Sequence, residues 1–176
     1  VIGAGPIGLV TLLAAFAAGC ARVIISDVDP AKLAIAESLT GGALAAELVA
    51  VAGASRVLLG SIVAYQSELK SSLIGVSRTL IENEGVINAE VAVQMAQSVR
   101  ERMAEGCGIP VESVVGLSTT GVAGPDSQDD QPPGTVFVGL AASHNGLDDL
   151  RVFALELAGD RQAIRSQTVS AAVEAL

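Results

Sequence analysis

Hydrophobic positions recur along this chain with two periods. From Asn88 to Gly106, Val91, Met95, Val99 and Met103 return every fourth residue. That spacing stacks them on one side of an α-helix, for which Asn88 is a suitable N-cap. Short runs rich in Val and Ile predict strands over Val114–Thr119, Thr135–Ala142, Leu150–Leu157 and Gly60–Tyr65. Between them the pattern predicts a helix over Ala43–Val49, helical turns over Glu68–Ile74 and Ser77–Glu84, and a closing helix from Asp160 to Leu176. A loop rich in Gly, Pro, Asp and Gln covers Gly121–Gly134. Alternating strands and helices are the signature of an α/β domain.

The first thirty residues carry the same alternation with a tighter motif. Gly3, Gly5 and Gly8 form G-x-G-x-x-G between a strand and a helix that Gly19 ends, and a second strand, Val23–Ser26, leads to Asp27. A glycine loop followed about twenty residues later by an acid is the dinucleotide-binding fingerprint. VIGAGPIGLVTLLAAFAAGCARVIISDVDPAKL resembles the first βαβ unit of the cofactor domain of medium-chain polyol dehydrogenases, such as sorbitol or xylitol dehydrogenase. The resemblance covers about thirty-five residues, and that family's zinc-ligand pattern does not follow. One βαβ unit does not hold both halves of NAD, so NAD binding is not expected and Gly3, Gly5, Gly8 and Asp27 read as vestigial.

Composition narrows the functional classes. Hydrophobic residues make up 51% of the 176, yet there is no Trp, one Tyr and three Phe, so the core is built from Ala, Val, Leu and Ile. A net charge of −9 with scattered Lys and Arg argues against a nucleic-acid partner. The most apolar stretch, Ile7–Ala18, is too short to span a bilayer. Cys20, Cys107 and the single histidine, His144, form no zinc pattern, so no metal is expected and a cytoplasmic location is. The chain also opens on Val1 within an apparent strand, the mark of an excised or fused fragment.

The chemistry concentrates around AESLTGG, Ala36–Gly42. Ser38 before Thr40, Gly41 and Gly42 reads in two ways. It is a helix cap, or a nucleophile beside the free N–H groups that a helix start offers as an oxyanion hole. Lys70, at the end of YQSELK, is either a solvated partner of Glu68 or a general base whose pKa burial lowers. His144, in a polar SHNG turn, is the weaker base.

From AESLTGG onward, the blocks GASRVLLGSIVAYQSELK, LSTTGVAGPD, PPGTVFVGLA and GDRQAIR follow in order. Together they resemble the C-terminal domain of the CinA family, also described as nicotinamide mononucleotide deamidases. The resemblance implies a three-layer α/β/α domain over residues 36–176, to which the dehydrogenase-like residues 1–35 add a Rossmann-like βαβ segment at the N-terminus. It implies a Ser/Lys amidohydrolase that releases ammonia from nicotinamide mononucleotide, with Ser38 as nucleophile, Lys70 as base, no required cofactor, and a homo-oligomeric assembly. Substrate-binding candidates are Thr40, Gly41, Ser55, Tyr65, Thr119, Thr120, Gly121 and Arg161, with Asp126 a cap or ribose ligand. Arg161 is the phosphate candidate and Arg165 its reserve.

The two resemblances together predict a chimera joined near Lys32–Ser38. There, PAKLAIAESL is a helix in one parent and LAIAE a strand in the other, and the strand is expected. A one-residue slip of that strand would turn Ser38 to the opposite face.

Overall fold

The computed structural model describes residues 31–144 and 146–176. The glycine loop and Asp27 lie outside the described residues.

Five strands form one sheet: β1 (Lys32–Glu37), β2 (Leu58–Val63), β3 (Val114–Gly121), β4 (Thr135–His144) and β5 (Leu147–Glu156), in the order β2-β1-β3-β4-β5. β1 runs parallel to β2 and β3, and β3, β4 and β5 are antiparallel. The helices are α1 (Ala43–Val49), α2 (Ser67–Leu69, running on as a π-turn over Lys70–Ile74), α3 (Arg78–Glu84), α4 (Ala89–Cys107) and α5 (Arg161–Glu174).

β1 decides the layering. Leu33, Ala34, Ile35 and Ala36 are all fully buried, because this central strand is covered on both faces. Leu33 and Ile35 pack with Leu44 and Leu48 of α1 and with Ala172 and Val173 of α5. Ala34 and Ala36 pack with Val91, Met95 and Val99 of α4. The domain is therefore α/β with helices on both sides of a mixed sheet, as the sequence predicts. The helical alternative for Pro30–Leu39 is excluded, since Lys32–Glu37 pairs with two strands at once. Asn88 caps α4 as expected, its Oδ1 accepting the Val91 N–H at 2.9 Å. α4 lies close on the sheet because of two glycines: a Cβ at Gly116 would stand 2.0 Å from the Ala96 carbonyl oxygen, and one at Gly139 2.3 Å from that of Ala92.

The strand ends differ from the expectation: β3 and β4 each run two residues further, to Gly121 and His144, and β2 and β5 are shifted. β2 starts at Leu58 and ends at Val63, leaving Tyr65 in the loop beyond it. β5 starts at Leu147 rather than Leu150. It is an edge strand exposed on both faces, so Asp148 and Asp149 fit it without any apolar alternation. Among the described residues, no helix is long and apolar enough to cross a membrane.

Candidate active site

The C-terminal ends of β1 and β3, the loop after β3 and the start of α5 enclose a cavity of about 290 Å³. Such strand ends are where open α/β sheets place their ligands. Ser38, Tyr65, Gly121, Asp126 and Arg161 line it, together with Ile87 and the Val122–Gly124 backbone.

Ser38 follows β1 directly, and its N–H extends the ladder to the Thr119 carbonyl at 3.0 Å. Alternation puts Glu37 on the α1 side and Ser38 on the side of Ala34 and Ala36. Neither Ser38 nor Thr40 caps α1. The N-cap is Gly42, in a left-handed conformation with φ 94° and without a side-chain cap bond. The fully buried Glu37 reaches over instead: its carboxylate accepts the N–H groups of Gly42 (2.9 Å), Leu44 (3.1 Å) and Ala45 (3.0 Å), and the Ser61 hydroxyl (3.0 Å). Ala43 N–H bonds the Thr40 carbonyl. This corrects the expectation that the helix start leaves free donors for an oxyanion, because an acid at the N-terminus has taken them. The available signal was the acid itself, set between an apolar strand and a helix.

Lys70 is 1% exposed. Its Nζ donates to the Ala64 carbonyl at 3.2 Å, and Ala64 N–H in turn bonds the Glu37 carbonyl at 2.8 Å. The amine is thus anchored at the end of β2, beside the segment that carries Ser38. No direct hydrogen bond joins the two side chains, and the Ser38 hydroxyl bonds no described residue. Burial lowers the Lys70 pKa from 10.5 to about 8, against the opposing fields of Asp129 and Glu68. Glu68 acts on Lys70 only through its field: among the described residues no ion pair joins them. Asp129 went unnoticed in the sequence; its carboxylate accepts the Val86 N–H at 2.6 Å and so ties the loop after β3 to the start of α4.

The other candidates divide. Tyr65 and Arg161 meet across the cavity rim, with the Arg161 guanidinium donating to the Tyr65 hydroxyl (2.6 Å) and to the Gly124 carbonyl (2.7 Å). Thr40 and Thr119 instead bond each other at 2.8 Å in the interior, and Thr120 donates to the Val86 carbonyl at 2.8 Å, so these hydroxyls are struts rather than cavity walls. Gly41, at φ 60°, serves the turn, where a Cβ would stand 3.5 Å from the Arg165 guanidinium. Ser55 is exposed on the turn Ala54–Arg56 that leads into β2, at the opposite end of the parallel strands from Ser38. Arg165, the reserve phosphate candidate, is engaged by the loop after Ser38: its Nε and one terminal nitrogen donate to the carbonyls of Leu39 (3.0 Å) and Thr40 (2.7 Å). His144 ends β4, exposed and away from the cavity lining. Among the described residues, no group of three or more His, Cys, Asp or Glu side chains is placed to hold a metal ion.

Comparison with known proteins agrees with the later sequence blocks. The chain is 42% identical over 144 residues to a CinA-like protein of Frankia casuarinae, covering 82% of this chain and 30% of that protein. It is 40% identical over 136 residues to a putative competence-damage inducible protein of Geobacillus kaustophilus, covering 77% and 30%. The chain thus spans about 30% of the length of these relatives. Its fold is similar to the crystal structure of the competence/damage inducible protein CihA from Agrobacterium tumefaciens, with a TM-score of 0.73 at 25% identity over 99% of this chain and 96% of that one. It is also similar to a CinA superfamily protein from Escherichia coli, with a TM-score of 0.68 at 26% identity over 82% and 77%. The model of the CinA C-terminal domain matches residues 27–176, beginning upstream of the junction expected near Lys32–Ser38. With this match over most of its length, the chain belongs to the CinA C-terminal domain family.

Proposed function

We propose that the chain is an amidohydrolase that converts nicotinamide mononucleotide to nicotinate mononucleotide and ammonia. The observation that carries this reading is the pairing of a cavity-wall serine, Ser38, with an adjacent buried lysine whose pKa is lowered to about 8. A serine hydroxyl needs a base to become a nucleophile, and a lysine serves only when a useful fraction of it is neutral at working pH.

In the proposed reaction, the Ser38 oxygen adds to the carboxamide carbon while its proton passes to the Lys70 amine. The tetrahedral intermediate collapses as Lys70 returns the proton to the departing nitrogen, which leaves as ammonia. The resulting ester on Ser38 is attacked by water, whose proton Lys70 takes; the acid is released and the proton returns to Ser38. In this scheme the Lys70 amine exchanges the Ala64 carbonyl for Ser38 when substrate binds, the kind of rearrangement by which catalytic hydrogen bonds form in the complex. Arg161 is assigned to the phosphate and Tyr65 to the pyridine ring, while Gly121 shapes the loop against which the substrate sits. No metal or redox cofactor enters the proposed steps, and the glycine loop of residues 1–35 has no part in them. A cytoplasmic homo-oligomer without nucleic-acid or membrane partners remains the expected setting.

Ammonia release from nicotinamide mononucleotide tests the reading. Ser38→Ala and Lys70→Ala should each lose turnover on the order of a thousandfold or more, with nicotinate mononucleotide binding retained in Ser38→Ala. Full turnover in Ser38→Ala would overturn the mechanism. Nucleotide binding by the unaltered protein without any ammonia release would replace the enzyme reading with a nucleotide-binding module.

A further inference from the structure

The amidase reading leaves one requirement open: a tetrahedral intermediate places negative charge on the former carbonyl oxygen, and α1 has no free donors to receive it. The loop between Ser38 and α1 does. Ser38 carbonyl accepts the Gly41 N–H at 3.0 Å, and the carbonyls of Leu39 and Thr40 accept from Arg165 at 3.0 and 2.7 Å. In a planar trans peptide, the C=O of one residue and the N–H of the next point in opposite directions. The Ser38 carbonyl is held toward Gly41, so the Leu39 N–H is turned away from that turn. The Leu39 carbonyl is held toward Arg165, so the Thr40 N–H is turned away from α5. Neither N–H bonds a described residue; Leu39 lines the cavity next to Ser38, whereas Thr40 is fully buried behind it.

We infer that Arg165 is a positioning residue that clamps this loop so that the N–H of Leu39 serves as an oxyanion donor to the adduct on Ser38. The inference rests on the amidase reading for its chemistry but not for its geometry. A donor from the residue after the nucleophile recurs in serine hydrolases of other folds. Because the guanidinium acts through backbone groups that matter once the carbon is tetrahedral, its loss should fall on kcat rather than on KM.

The test uses Arg165→Ala and Arg165→Lys with two readouts. In ammonia release, Arg165→Ala should lower kcat about 10- to 100-fold with KM within about twofold, below the loss from deleting an oxyanion donor outright, and Arg165→Lys should recover part of it. The second readout is the affinity of pyridine-3-boronic acid. Its boron accepts the Ser38 oxygen to give a tetrahedral anion while the serine proton passes to Lys70. Arg165→Ala should weaken this binding by a similar factor while leaving nicotinate mononucleotide binding within about twofold. A raised KM with unchanged kcat would overturn the clamp and make Arg165 a phosphate ligand. Equal weakening of boronate and nucleotide would reduce it to a general structural role. If the unaltered protein releases no ammonia, the amidase reading fails and the boronate comparison alone decides the clamp.

Discussion

Two cations are buried to the same degree in this domain, and they are treated in opposite ways. Arg100 of α4 and Lys70 are each 1% exposed. Arg100 donates to the carbonyls of Val111 (3.2 Å) and Val114 (2.8 Å), to the Ser143 hydroxyl, and to Asp148 at 2.9 Å. Its planar fork is met by acceptors in nearly every direction, and it holds the Asp148 carboxyl below the usual carboxylate range. Lys70 has three donors and one described acceptor, the Ala64 carbonyl. Burial alone does not decide what a cation does inside a protein; the number of acceptors around it does. Arg100 joins α4 to the β4–β5 hairpin, whereas burial lowers the Lys70 pKa to about 8.

That contrast is broken most severely at Lys70. Removing its amine should abolish ammonia release while leaving the fold, the thousandfold loss already expected of Lys70→Ala. The reciprocal change, Arg100→Ala, should do the reverse. It strands the carbonyls of Val111 and the buried Val114 and leaves a cavity, at a cost of about 3 kcal/mol. In a chain of this size that amounts to a fall in midpoint temperature of roughly 6–12 °C. Where the variant is still folded, turnover should match the unaltered protein. Thermal unfolding and ammonia release measured on one preparation decide it, and an Arg100→Ala protein of undiminished stability would place Arg100 among the incidental contacts.

A smaller effect sharpens the comparison from the side of stability. Lys70 has a folded pKa of about 8 against 10.5 when unfolded. Between these values the unfolded chain binds more protons, so stability rises with pH through that window and the native state is disfavoured below it. The shift corresponds to about 3 kcal/mol at pH 7. Lys70→Met, of similar length without the charge, should therefore be more stable than the unaltered protein by up to about 3 kcal/mol at pH 7 and by only about 1 kcal/mol at pH 9.5. Denaturant titrations at the two pH values measure the difference. A constant gap would mean that Lys70 keeps its ordinary affinity for protons.

How much of this was legible beforehand follows from the range of each interaction. The helix after Asn88 was readable because four-residue periodicity and a neighbouring cap are local signals, and Ala43–Val49 because its run is rich in alanine. Ser38 and Lys70 were marked by short motifs; Ser38 follows β1, and the Lys70 amine is tied to the Ala64 carbonyl just beyond β2. The threonines misled because a hydroxyl beside a glycine loop looks the same whether it faces a ligand or another hydroxyl; Thr40 and Thr119 are 79 residues apart and find each other only in the fold. The Arg165 contacts to Leu39 and Thr40 span 126 and 125 residues, and Asp129 reaches Val86 across 43, so no window of sequence contains them. Ser55 failed for a simpler reason: parallel strands put the turn before β2 and the loop after β1 at opposite ends of the sheet.

The smallest expected effect is the most specific to Lys70 as the base. Its neutral fraction should set the rising limb of the pH–rate profile, with kcat/KM climbing to a plateau above about pH 8. The carboxylate of Asp129 opposes the loss of the proton, since a nearby negative charge favours the ammonium. Asp129→Asn removes that field while its side-chain oxygen still accepts the Val86 N–H, so the loop stays tied. The limb should then move to lower pH by less than about one unit, with the plateau rate unchanged. Glu68→Gln should shift it in the same direction by less, because Glu68 is exposed and its field is screened by solvent. A limb that stays in place in both variants while turnover still depends on Lys70 would mean that the titrating group is elsewhere, and that the single hydrogen bond to Ala64 holds Lys70 as a cation after all.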